Sequence, residues 1–263
     1  MYLETMNWPE AKKHFTDGLI AVIPVGSMEQ HGPKGIIGTD WMIPHELCKR
    51  IEKRLADKIV VLPTVPYGVC PYHTDYPGTI DIGHENLKAL MEAITANLFR
   101  HGVRRFAFYN GHAGNGPALD TVSLGLFEKG GVAAILDWWV IVGELNAAWV
   151  GGHADWQETA AVMEVLPGVF KGPMEFETPH RPAAESFKIN HITRTLFKGG
   201  NVRIPRPVST IMDNGVYMIQ DKEPTQAEGK AMLDASVDYA VDFFTEFAAL
   251  DLEKIHKKNG LQG

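Results

Sequence analysis

The sequence predicts an α/β fold: a mostly parallel central sheet with helices on both faces. Three observations predict it. Strand-like and helix-like runs alternate along the chain. The strand-like runs are continuous apolar stretches, as in strands buried on both faces. The first, third and fourth of them run straight into polar or aromatic residues, and ligands of such sheets bind at the carboxyl ends of the strands.

Each element has its own signal. "LIAVIPV" (19–25) is a buried strand ending in a glycine turn. "WMIPHELCKRIEKRLAD" (41–57) is a helix: Pro44 falls near the first turn, where proline is tolerated, and Leu47, Ile51 and Leu55 recur at helical spacing. "KIVVLPTVPYG" (58–68) is a second buried strand, followed by a loop to residue 83. "HENLKALMEAITANLFRHG" (84–102) puts Leu87, Leu90, Met91, Ile94 and Leu98 on one helical face and stops at Gly102. "VRRFAFYN" (103–110) is a third strand, "PALDTVSLGLFEKGG" (117–131) a shorter helix, and "VAAILDWWV" (132–140) a fourth strand. Residues 168–222 are irregular and rich in Pro, Gly and His. They read as a long excursion over the sheet, so the chain is read as one domain, 1–263. A last helix opens at "PTQAE", where Thr225 and Glu228 match a capping box, and Met232, Val237, Val241, Phe244 and Ala248 form its core face.

Composition narrows the function. Apolar residues make up 45% of the 263, enough for a sizeable core. The formal charge of −7 and the lack of a Lys/Arg stripe argue against a nucleic-acid partner. No run reaches membrane-span length, and the start of the chain lacks the basic and apolar regions of a signal peptide. Cys48 and Cys70 are too far apart for CxxC chemistry, which suits a reduced, cytoplasmic setting.

Three segments that follow strands or lie near strand ends hold ligand-type residues. "VGSMEQHGPKGIIGTD" (25–40) carries Glu29, His31 and Asp40. "YNGHAGN" (109–115) places His112 directly after the third strand, and "GGHADWQETA" (151–160) carries His153, Asp155 and Glu158. Mixed carboxylate and imidazole ligands suit Zn²⁺, Mn²⁺ or Fe²⁺, and Asp40 has the chemistry to bridge two ions. Taken singly, each residue has a plainer reading. Loop histidines are usually hydrogen-bonding residues, Glu29 alone suits a solvated loop, and Asp40 beside Thr39 suits a helix cap. It is the joint arrangement that points to metal.

These blocks, with "YPGTI" (76–80), resemble the creatininase (creatinine amidohydrolase) family, in order and spacing, over about residues 19–245. The resemblance implies a three-layer αβα sandwich, a hexamer, and two divalent ions per subunit. By position, it assigns Glu29, Asp40 and His112 to one ion, and His31 with the bridging Asp40 to the other. It makes His153 a proton-transfer residue near the substrate, and Trp139 and Trp149 walls of the substrate pocket. Without it, both tryptophans read as core.

The sequence also departs from the family. Creatininases carry Tyr-Glu after the histidine of the NGH block, where this chain has Ala113 and Gly114, and Glu before the pocket histidine, where it has Gly152. One ligand and one acid/base residue are therefore missing. Glu158 is the nearest replacement for both, although it equally suits a helix N-terminal carboxylate satisfied by backbone N–H groups. The small residues also suggest a wider pocket, in which His73 would hydrogen-bond a substrate hydroxyl or carbonyl. The expected reaction is attack of metal-activated water on a carbonyl of a small cyclic or related amide, with creatinine itself excluded. C–C hydrolysis of a dehydro-inosose-type diketone and a non-catalytic, metal-stabilised binding protein remain alternatives. No GxSxG elbow supports a serine nucleophile, and no GxGxxG follows a strand to support a dinucleotide site.

Overall fold

In a computed structural model, residues 1–170, 173, 174 and 176–257 are described. Four parallel strands, β1 (Ile20–Val25), β2 (Ile59–Val61), β3 (Arg105–Asn110) and β4 (Val132–Asp137), form a sheet of order β2-β1-β3-β4. Val25 pairs with Asn110, and Asn110 with Asp137. Three strands therefore end in one row, and the loops that follow them open at one edge.

Side chains alternate across this sheet. Ile20, Val22, Ala107 and Tyr109 face one core, with Leu47 and Ile51 of α2 (Thr39–Leu55), Trp156 of α6 (Trp156–Val165) and Phe244 of α7 (Gln226–Ala248). Ala21, Ile23, Phe106 and Phe108 face the other, with Leu87 and Met91 of α3 (His84–Arg100) and Leu119 and Val122 of α4 (Gly116–Glu128). The result is the three-layer αβα sandwich that the sequence predicts, because a period of two turns successive side chains to opposite faces.

Several details differ from the sequence reading. The fourth strand stops at Asp137, and Trp138–Leu145 is a helix, α5. Trp138 and Val142, one turn apart, are both fully buried, so helical spacing takes over where the sheet edge is reached. The second strand shrinks to three residues, ahead of Pro63 and Pro66. Leu90 is 40% exposed and lies off the core face of α3. An unanticipated first helix, α1 (Trp8–His14), is set by a capping box between Asn7 and Glu10. It buries no residue, so it leaves no apolar period to read. The excursion holds a three-stranded antiparallel sheet of β5 (Lys188–His191), β6 (Arg194–Phe197) and β7 (Gly200–Arg203). Its strands are short and mostly exposed, which leaves too few buried positions for an alternating pattern. A short helix, α8 (Leu252–His256), follows α7. No helix among the described residues is long and apolar enough to cross a membrane.

Candidate metal centre

The site begins at the start of α2. Gly26 follows β1, Gly111 follows β3, and both lie against the backbone of Asp40. A Cβ on Gly26 would meet the Asp40 oxygen at 2.6 Å, and one on Gly111 would meet it at 1.8 Å. Two glycines at adjacent strand ends therefore clamp the first turn of α2 and fix the Asp40 side chain over the sheet edge. Asp40 caps nothing. Its Oδ1 lies 3.1 Å from His31 Nε2, and its Oδ2 lies 3.2 Å from His112 Nδ1.

Both imidazoles are oriented by backbone carbonyls. His31 Nδ1 donates to Glu29 O at 2.9 Å, leaving Nε2 between Asp40 and, at 3.5 Å, Glu158 Oε2. His112 Nε2 donates to Val69 O at 2.9 Å, leaving Nδ1 toward Asp40. An imidazole that donates one N–H to a backbone carbonyl and aims its other nitrogen at a cluster of carboxylates is arranged as a metal ligand. Asn110 and Asn115, both fully buried, brace this turn. Asn110 bonds His112 through both its backbone groups and donates to Asp137 at 2.8 Å. Asn115 ties Gly26 O to Val69 N.

Glu29 lies at the centre and is only 1% exposed. His112 approaches one of its oxygens at 3.3 Å, and His73 and His153 approach the other at 3.4 and 3.6 Å. None of these approaches is a hydrogen bond. Both Glu29 oxygens, His31 Nε2 and Asp40 Oδ2 are buried without a hydrogen-bond partner. Buried carboxylates are paired or coordinate cations. Three overlapping sets, Glu29/Asp40/His112, His31/His153/Glu158 and Glu29/His73/His153, each bring their ligand atoms within 4.8 Å of one another. The residues present thus fit a divalent cation.

Electrostatics agree. Burial raises the Glu29 carboxyl to about 8, against the pull of His112. Burial would lower His112, but Glu29 and Asp40 outweigh it and raise the imidazole to about 10. For His31 burial is likewise outweighed, by Asp40 and Glu158, and the ring stays protonated well above the usual histidine range. Burial of Asp40 is outweighed by His31 and His112, which hold it ionised below the usual carboxylate range. The carboxylates demand positive charge, and without a metal it comes from protons on two rings.

A second layer, not anticipated from the sequence, is built on Gln30. Gly32 N–H donates to its Oε1 at 2.8 Å, and its Nε2 donates to Gly215 O at 3.1 Å, which fixes the amide orientation. The same Nε2 faces His73 Nδ1 and His153 Nε2, each at 2.9 Å. One of its two N–H groups is taken by Gly215 O, so the other is shared between the two rings. An amide nitrogen does not accept, so neither facing ring nitrogen carries a proton, which leaves N–H groups at His73 Nε2 and His153 Nδ1, both aimed at Glu29. Burial and the neighbouring rings keep both neutral: His73 falls to about 3 and His153 well below its usual value. Gln30 lies between Glu29 and His31 in the sequence, yet nothing local distinguishes it from a solvated amide.

Glu158 shows the backbone bond expected of a helix N-terminal carboxylate and also faces His31. It lies in the first turn of α6, accepts from Ala154 N at 2.6 Å, and turns the same oxygen toward His31. Asp155 caps that helix by accepting from Gln157 N at 3.0 Å, and burial raises its carboxyl to about 7. Glu29, Asp40, His73, His112, His153 and Glu158 border a cavity of about 390 Å³ that Trp139 also lines. Trp149 lies outside that lining, partly buried against the core, and its carbonyl and that of Trp139 share the Gln157 side-chain amide. The glycine departures do not widen the cavity as the sequence suggested. A Cβ on Gly114 would strike Val69 O at 1.9 Å, and one on Gly152 would strike Tyr217 O at 2.1 Å, so backbone fills both spaces.

Fold and site are those of an α/β sandwich with a candidate metal centre at the carboxyl edge of its sheet. Residues 4–244 match the family model for creatinine amidohydrolase, and the chain belongs to the creatininase family. A mycofactocin precursor peptide peptidase of Mycobacterium tuberculosis is 28% identical, over 84% of this chain and 82% of that one. A creatinine amidohydrolase of Pseudomonas putida is 29% identical over 44% of this chain. That match spans 46% of its length, under half of the curated relative. A 3-dehydro-scyllo-inosose hydrolase of Thermotoga maritima is 27% identical over 36% of its own length. A solved manganese creatininase shares the fold, with a TM-score of 0.70 and 21% identity over 93% of this chain and 97% of that one.

Proposed function

We propose that the chain hydrolyses the C–N bond of a small cyclic amide or a related amide, with two divalent ions of zinc, manganese or iron. Glu29, Asp40 and His112 would hold one ion, and His31, Asp40 and Glu158 the other. The observation that carries this reading is that both oxygens of Glu29, Oδ2 of Asp40 and Nε2 of His31 are buried and unpartnered at the carboxyl edge of the sheet. When bound, the ions supply an acidified water and a polarised carbonyl.

The chain's own groups do the rest. Asp40 offers one oxygen to the His31 side and the other to the His112 side. Glu158 or His153 would relay the proton lost by that water to the leaving nitrogen, so that the group ends in the protonation state in which it began. His73 Nε2–H hydrogen-bonds the substrate carbonyl or a hydroxyl. Trp139 supplies an apolar wall, and Trp149 packs against the core. Creatinine is not the substrate in this reading, because backbone occupies both positions where creatininases of the family place a carboxylate. Two amide-cleaving relatives support C–N hydrolysis, whereas the inosose hydrolase matches only a partial stretch.

The test is metal analysis and turnover of the reconstituted protein on cyclic amides, formamides, short peptides, creatinine and dehydro-inososes. Asp40→Asn should lose most metal and turnover. His153→Ala should keep its metal while turnover falls about 10²–10⁴-fold, the usual contribution of a general acid. Loss of metal in the latter would move His153 into the ligand set. A creatinine kcat/KM above ~10⁴ M⁻¹s⁻¹ would refute its exclusion.

A further inference from the structure

The cavity has an acidic floor and a basic roof. The floor is Glu29, Asp40 and Glu158; the roof is the small sheet β5–β7, which contributes His191, Ile192, Thr193 and Arg203 to the lining. In a chain of formal charge −7, residues 186–212 contain Lys188, Arg194, Lys198, Arg203 and Arg206 and no Asp or Glu. The register concentrates that charge: His191 pairs with Arg194, and Arg194 with Arg203. Directly opposed residues of antiparallel strands share a face, so Arg194 stands beside both Arg203 and His191, whose imidazole is pushed toward the neutral form by burial and by Arg194. His191 and Arg203 line the cavity, and Arg194 lies outside the lining.

Like charges directly opposite each other destabilise a sheet. Neither Arg194 nor Arg203 has an acidic partner among the described residues, whereas Arg181 pairs with Asp213 and Arg54 with Asp238. Both arginines are exposed, so they do not serve core packing either. A guanidinium pair without a protein carboxylate is suited to an oxyanion from outside, because its planar forks match carboxylate and phosphate oxygens.

We propose that His191, Arg194 and Arg203 form an oxyanion subsite, and that the substrate is an amide carrying a carboxylate or phosphate distant from the bond that is cleaved. This rests on the amide-hydrolase reading and adds the substrate's charge and its orientation. The anionic end lies under the roof, and the carbonyl is directed away from it, to the floor.

Isothermal titration of the metal-loaded protein with N-acetylglycine, its neutral counterpart N-acetylglycinamide and inorganic phosphate tests this. At least one anion should bind about tenfold or more tightly than the neutral amide, the effect of a single charge-assisted hydrogen bond. The tighter of the two anions distinguishes a carboxylate from a phosphate. Arg203→Ala and the double variant Arg194→Ala/Arg203→Ala should remove the preference at unchanged metal content, and Arg203→Lys should keep part of it. Equal binding of anions and neutral amide overturns the proposal. So does a preference that survives the double variant, since the ions on the floor would then be holding the anion. Metal loss, or absence of turnover on every amide, would instead refute the hydrolase reading and leave the anion preference standing.

Discussion

Gln30 determines where two histidines carry their protons. Most neutral imidazoles could place the hydrogen on either nitrogen, but here the Gly32 and Gly215 backbone groups fix one amide, and that amide fixes His73 and His153. Long-range ¹H–¹⁵N spectra of the metal-loaded protein should therefore show His153 protonated at Nδ1 and His73 at Nε2. Gln30→Ala should release His153 from the Nδ1–H form, with metal content retained and turnover lowered by about tenfold or more. A His153 already protonated at Nε2 in the unaltered protein would contradict this assignment. Glu29, His31 and Asp40 were legible in the sequence because they share one loop. Gln30 was not, because its contacts reach residues 43, 123 and 185 positions away. Gly114 and Gly152 misled for a related reason: a missing side chain says nothing about the backbone that fills its place.

The elements act as holders. α2 is placed by two glycines that contribute no side chain, and the clamp can be tested by adding one. Gly111→Ala should destabilise by about 1–3 kcal/mol through overpacking and lower metal occupancy with it, since Asp40 moves when its carbonyl is pushed. Gly125→Ala in α4 is the matched control: nothing lies within 4 Å of its added Cβ, so it should stabilise by up to ~1 kcal/mol and leave metal untouched. Denaturant melts with metal analysis read both. Elements that bury a regular apolar face, such as α3 and α7, were legible because burial imposes the period. α1, β5, β6 and β7 bury too little to impose one, and α5 was hidden because its two tryptophans extend the apolar run of the strand before it.

The whole molecule converges on the candidate centre, which draws on the segments after β1 and β3, on α2 and on α6. Metal should therefore stabilise the entire chain. At a free concentration 1,000 times Kd the gain is about 4 kcal/mol, and chelation should lower Tm by the corresponding amount in a single transition if residues 1–263 form one domain. The pH dependence has a definite sign. Burial raises the Glu29 carboxyl and the neighbouring carboxylates raise His112 in the metal-free protein, so at neutral pH the cluster holds protons that a cation must displace. Metal uptake should release protons, and affinity should rise with pH from 6 toward 9. Calorimetric titration in buffers of different ionisation enthalpy measures that release, and an uptake with no proton release would contradict it. The hexamer implied by the family resemblance is a separate proposal, and light scattering at micromolar concentration tests it.

The paired backbone contact between His153 and Tyr217 has a consequence for how this enzyme can be altered. Each residue donates to the other, at 2.8 and 2.9 Å, and the Tyr217 ring lies against His180 and His191, 6.0 and 5.5 Å away. Two residues earlier, Gly215 accepts from Gln30. The stretch of chain adjoining the basic roof is thus also the stretch that seats His153, the proposed proton carrier. A library that varies residues 186–217 to seek new substrates would disturb rate and selectivity together, and transplanting that segment from a relative would import the donor's imidazole alignment along with its binding preferences.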